Sequence, residues 1–81
     1  MRVLFFGVLK ELFGGVEEMV EMVEGSRVAE LLASFERRAG ERGDLMRSIA
    51  VAVNREYAQA DCGLRDGDEV ALLPPVSGGA R

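Results

Sequence analysis

A single stretch sets the terms for this chain. Val28, Leu31, Leu32, Phe35 and Ala39 fall at i, i+3, i+4, i+7 and i+11, an apolar stripe down one side of a helix, with Glu30, Glu36, Arg37 and Arg38 mostly on the other side. That spacing makes the stripe a core face rather than a cofactor box. Ser26 stands where an N-cap would, and Ala29 where a capping box would want Glu. With 81 residues, the chain has room for one small domain and no separate lid. One such helix can cover one face of one small sheet, so the remaining segments must supply the strands.

They do. From Val3 to Phe6 the chain is β-branched and apolar without interruption, the pattern of a strand covered on both faces and central in its sheet. Leu9, Leu12 and Phe13 then mark a helix of one or two turns, stopped by Gly14-Gly15. Glu17 to Glu24 interleaves carboxylates with Met and Val and is expected to be a strand. Its four glutamates, without another ligand type nearby, suit a solvated sheet edge better than a metal site. After the long helix, Gly40 to Asp44 is expected to break it, and Leu45, Met46 and Ile49 to form an irregular turn beneath the sheet. Ile49 to Val53 is a second apolar strand, and Asn54-Arg55 before Glu56-Tyr57-Ala58 predicts a tight hairpin. Asp61 to Leu64 is a loop and Asp66-Gly67-Asp68 a turn in which Gly67 takes positive φ. Glu69 to Leu73 is the last strand, ended by Pro74-Pro75.

Two strands, a long helix and further strands predict an α+β fold of the β-grasp, or ubiquitin-like, type over residues 1–75. A ferredoxin-like split βαβ would need a second long helix, and Leu9 to Phe13 is too short. Residues 76–81 form a tail that nothing in the sequence would bury, expected to project and move.

Composition removes most enzyme chemistries. There is no His and no Trp, and Cys62 is the sole cysteine. That leaves no side chain titrating near neutrality, no zinc or disulfide framework, and no Ser–His–Asp or Cys–His catalysis. Cys62 follows Asp61 and has no adjacent cation to stabilise a thiolate, so it reads as a bystander. A net charge of −4 argues against nucleic acid as a ligand. The apolar run after Arg2 is broken at Lys10 and Glu11 without a cleavage pattern, which argues for a buried strand over a signal peptide. No stretch is long enough to span a membrane, and a cytoplasmic protein is expected.

The tail offers another kind of chemistry. In Val76-Ser77-Gly78-Gly79 the glycines lack Cβ atoms, so this segment could thread a narrow channel in a second protein and present a glycine carboxyl group with little steric resistance. One helix also leaves one sheet face bare, and apolar side chains there would imply a partner.

Val3-Leu4-Phe5-Phe6, Leu9-Lys10-Glu11-Leu12, Val51 to Tyr57 and above all Leu64 to Gly79, with its D-G-D-E-V-A and P-P-V-S-G-G wording, resemble the small subunit of molybdopterin synthase (the MoaD type), a ubiquitin-like sulfur carrier. The resemblance runs from Val3 to Gly79. It implies a sulfur-donor subunit, not itself catalytic, in molybdenum cofactor biosynthesis. An ATP-dependent, ubiquitin-activating-type adenylyltransferase would activate the Gly79 carboxylate, which becomes a thiocarboxylate. Within the large synthase subunit, entered by Val76, Ser77 and Gly78, its sulfur passes to cyclic pyranopterin monophosphate. Phe6, Tyr57, Leu73, Pro74 and Pro75 would meet the partners, core packing being the competing role for Phe6, Tyr57 and Leu73. The carrier would bind no cofactor or metal, ATP being used by the activating enzyme. Members of this family end at the second glycine, whereas Ala80 and Arg81 continue this chain, so a trimming peptidase is expected. Related carriers for thiamine synthesis or tRNA thiolation, and ubiquitin-like protein modifiers, are the alternatives.

Overall fold

The stripe forms the helix it predicts, and its neighbours form the sheet beneath it. The computed structural model describes residues 1–75, in the order β1 (Arg2–Phe5), α1 (Val8–Phe13), β2 (Glu17–Met19), α2 (Val28–Ala39), a 3₁₀ helix (Gly40–Arg47), β3 (Ala50–Val53), β4 (Glu56–Ala58) and β5 (Glu69–Leu73). The strands make one mixed sheet in the order β2-β1-β5-β3-β4. β1 and β5 run parallel, and the other neighbouring pairs are antiparallel. With α2 on one face, this is the α+β, β-grasp arrangement expected. Val76 to Arg81, where the tail is expected, lie outside the described residues.

α2 begins one residue later than a Ser26 cap would place it. Arg27 is the N-cap, and the Glu30 carboxylate accepts a 2.8 Å hydrogen bond from its backbone N–H. Ser26 instead donates to the Val23 carbonyl at 2.6 Å. No side-chain cap is needed because the amides of Val28 and Ala29 donate to the carbonyls of Cys62 and Ala60, both at 2.9 Å. The Asp61 to Leu64 loop therefore closes the helix start. At the other end Gly40, at φ +61°, ends the α-helix where a break is expected; the chain goes on in 3₁₀ turns over Gly40–Arg47, and Gly43 passes so near α2 that a Cβ there would lie 2.9 Å from the Glu36 carbonyl.

Val28, Leu31 and Phe35 of α2 meet Val3 and Phe5 of β1, Val51 of β3 and Val70 and Leu72 of β5, with Leu9 of α1 closing the side. Burial of each such side chain contributes roughly 1.5 to 3 kcal/mol. Phe5, Phe13 and Phe35 form an aromatic trio with centroids 5.0 to 5.6 Å apart. Met46 of the 3₁₀ helix is buried as well, consistent with a turn packed beneath the sheet.

Three expectations about β1 and β2 change. β1 lies inside the sheet, but β5 holds its centre. β1 is covered on one face only: Val3 and Phe5 are buried while Leu4 is half-buried and Phe6 exposed. An uninterrupted apolar run looks the same whether its far side meets a helix or open surface. β2 is a sheet edge as its glutamates suggest, yet it ends at Met19 rather than Glu24. Val20 N–H to the Met1 carbonyl is the last rung, after which Gly25, at φ +91°, helps turn the chain toward α2.

Candidate functional site

Strand alternation determines what the bare face carries. Residues paired across neighbouring strands share a face, so the register sets Leu4, Ala71, Ala52 and Tyr57 in one row across β1, β5, β3 and β4. The next row pairs Leu73 with Ala50, and Phe6 follows β1 on the same side by alternation. The two alanines of the first row form a low floor between bulkier Leu4 and Tyr57. Tyr57 is 81% exposed and Phe6 43%, so neither is core; Leu73 is half-buried.

Charge edges this apolar area on one side. Arg2 pairs with Glu69 across β5 and lies 3.8 Å from Glu17 on β2. Its guanidinium is held more firmly protonated by the hydrogen bond to Glu69. A second polar group fixes the entry to β5. The Asp68 carboxylate accepts hydrogen bonds from the Arg65 amide at 2.8 Å and the Asn54 side chain at 3.0 Å, which hold its pKa below the usual carboxylate range. The Asn54 side-chain oxygen in turn accepts from the Glu69 amide at 3.0 Å. The β3–β4 hairpin is thus tied to the start of β5.

At the far end of β5 the chain leaves the sheet through Pro74, half-buried, and Pro75, exposed. Pro74 packs against the turn between β1 and α1. Gly7 in that turn has φ +58°, and a Cβ on it would lie 2.9 Å from the Pro74 Cγ. Phe6, Leu73, Pro74 and Pro75 are thereby brought to one end of the molecule, with Tyr57 across the same face. Val76, Ser77, Gly78 and Gly79 lie outside the described residues. Leu4, Ala50, Ala52 and Ala71 belong to this face too, and the strict alternation of β5 was the signal that could have found them.

The other concavities lie elsewhere. A groove of about 450 Å³ lined by Met1, Val20, Met22, Leu64 and Arg65 sits at the opposite ends of β1 and β5. Among the described residues no three Asp, Glu or Cys side chains converge as metal ligands, and no helix is long and apolar enough to cross a membrane. Cys62 is half-buried, with its thiol 3.6 Å from the Gly63 carbonyl.

Comparison with known proteins places this geometry among relatives. Residues 3–79 match the ThiS family. The molybdopterin synthase sulfur carrier subunit of Chlamydomonas reinhardtii is 36% identical over 81 residues, covering 98% of each chain. Among solved structures, a complex of subunits 1 and 2 of the molybdopterin-converting factor from Helicobacter pylori contains a chain that aligns with a TM-score of 0.68 at 29% identity, covering 96% of both chains. SAMP1 from Haloferax volcanii aligns with a TM-score of 0.77 at 27% identity, covering 96% of this chain and 97% of that one.

Proposed function

Because the chain belongs to the ThiS family, we propose that it is the sulfur carrier of a molybdopterin synthase, acting from the cytoplasm as a non-catalytic subunit. The carrying observation is the bare face: Leu4, Phe6, Ala52, Tyr57, Ala71 and Leu73 offer apolar surface on the same side of the sheet, beside the point where the chain departs through Pro74-Pro75. A partner that covers this face also receives the residues after Pro75. The relatives named as sulfur carrier subunits, and the neighbour solved with its subunit 2, support the large synthase subunit as that partner.

In this proposal the chemistry belongs to the main chain. A peptidase removes Ala80-Arg81, freeing the Gly79 carboxylate. That carboxylate attacks the α-phosphorus of ATP in an activating adenylyltransferase, expelling pyrophosphate and forming an acyl adenylate. A sulfur nucleophile then displaces AMP to leave a thiocarboxylate. Val76, Ser77 and Gly78 thread the large subunit, where the thiocarboxylate sulfur bonds to a carbon of the pyranopterin substrate as a carbon–oxygen bond at that carbon breaks; water then cleaves the acyl carbon–sulfur bond, leaving the sulfur on the pterin and returning the Gly79 carboxylate. No side chain of the carrier gives or takes a proton in these steps. The carrier itself binds neither metal nor cofactor.

Intact-mass spectrometry of the protein from its own cells tests this. A species ending at Gly79 with one oxygen replaced by sulfur is the expected product. A chain that keeps Arg81 in cells making active cofactor would overturn it. The likeness to SAMP1 favours a second reading, a protein modifier joined to target lysines; covalent adducts in the same spectra would establish that one.

A further inference from the structure

We infer that Gly7 is a positioning residue for the C-terminal chemistry: its missing side chain is the seat for Pro74, and that seat fixes the direction in which the chain leaves β5. This rests on the carrier function proposed above.

Five glycines of the described chain have positive φ, and Gly7 differs from the other four. A Cβ added at Gly14, Gly25, Gly40 or Gly67 would meet nothing within 4 Å, so those positions need glycine for backbone conformation alone. At Gly7 a Cβ would meet Pro74 Cγ at 2.9 Å and Cδ at 3.8 Å. Neither side of this contact can easily retreat. The Gly7 carbonyl accepts the Lys10 amide at 3.1 Å as α1 begins, and α1 is pinned by fully buried Leu9. Across the contact, Leu72 is fully buried and Leu73 is paired with Ala50 of β3. Compliance is left to the chain beyond Leu73.

Two successive prolines make that compliance directional. Each ring fixes φ near −65° and restricts the residue before it, so a displaced Pro74 carries Pro75 with it instead of being absorbed by a local swivel. The reacting carboxyl group lies only a few residues beyond. A misplacement of about 1 Å at a reacting centre can cost on the order of a hundredfold in rate.

The experiment compares Gly7→Ala, Gly7→Val and Gly40→Ala with the parent chain. Gly40→Ala is the matched control: Gly40 has φ +61° and ψ −119° against +58° and −136° at Gly7, and a Cβ on it meets nothing within 4 Å. Each chain, ending at Gly79 and bearing a thiocarboxylate, is bound to the large subunit, and sulfur transfer is followed in a single turnover alongside the Kd of the complex. Gly7→Ala should slow transfer about tenfold or more with Kd moved by less than about threefold, and Gly7→Val should slow it further. Gly40→Ala should transfer at the parent rate. A Gly40→Ala chain as slow as Gly7→Ala, or an undiminished rate in Gly7→Ala, overturns the inference. A parent chain that transfers no sulfur overturns the carrier function instead. The positional claim is then decided on the free protein by residual dipolar couplings: an orientation of Pro75 relative to β5 that is unchanged in Gly7→Ala overturns it, and a reoriented Pro75 supports it.

Discussion

Arg38 holds Glu18 with two hydrogen bonds of 2.8 and 2.9 Å while its guanidinium carbon lies 4.8 Å from the centroid of the Phe35 ring. The same group stands 5.4 Å from Phe13, so one side chain of α2 caps the aromatic trio and ties down the edge strand β2. Arg38→Ala should destabilise the fold by about 1 to 2 kcal/mol, combining packing over two rings with a half-exposed, solvent-screened ion pair. Arg38→Met keeps much of the packing and should lose less. Denaturant unfolding of both variants separates the two contributions; equal losses would show that the ion pair dominates.

Acid should weaken the protein through Asp68 and Glu18. Both carboxylates have lowered pKa values, Asp68 from the Arg65 amide and the Asn54 side chain, Glu18 from the Arg38 hydrogen bonds. A carboxylate with a depressed native pKa stabilises the fold above its unfolded value, and that contribution is lost as pH falls through the native value. The loss therefore belongs below about pH 4. Asp68→Asn should flatten the acid limb of a stability-against-pH curve, and Glu18→Gln should do so separately. Curves parallel to the parent's across that window would disprove the coupling.

The β3–β4 hairpin leaves room for improvement. Asn54 and Arg55 take φ of +52° and +73°, both left-handed, which a two-residue hairpin loop of this twist requires. Arginine is a costly occupant there. Arg55→Gly should stabilise the domain by about 0.5 to 1 kcal/mol, read as a rise in thermal midpoint. Asn54→Ala should do the reverse, since the Asn54 side chain bonds both Asp68 and the Glu69 amide. A lower midpoint for Arg55→Gly would contradict the turn assignment.

The bare face supplies a binding prediction. Tyr57→Asp should leave stability within about 0.5 kcal/mol, because the ring is 81% exposed. It should weaken binding of the large subunit by about 2 kcal/mol or more if the ring fills a partner pocket. Ala52→Gln, which raises the floor beside Tyr57, should weaken binding as well. Calorimetric titration showing parent affinity for both would remove this face from the interface.

The sequence carried the fold wherever periodicity is local. The α2 stripe, the Asn54-Arg55 hairpin, the glycine stop after α1 and the edge character of β2 all follow from near neighbours in the chain. The features that eluded it depended on distant groups. The helix start shifted from Ser26 to Arg27 because carbonyls of Ala60 and Cys62 satisfy its first amides. Leu4 reads as core until the single-helix architecture exposes its face. The fit of Pro74 against Gly7 joins opposite ends of the chain, and no spacing rule reports it.

The place of β5 has a mechanical meaning. It is the last described strand and also the middle one, hydrogen-bonded to β1 on one side and β3 on the other. A pull transmitted through Pro75 along the strand axis must shear both ladders at once, whereas an edge strand could be peeled rung by rung. Because β1 runs parallel to β5, tension between the start of one and the end of the other loads their shared ladder in the same resistant direction. On the carrier function proposed above, the domain is thus a firm handle for a segment that a partner draws into itself.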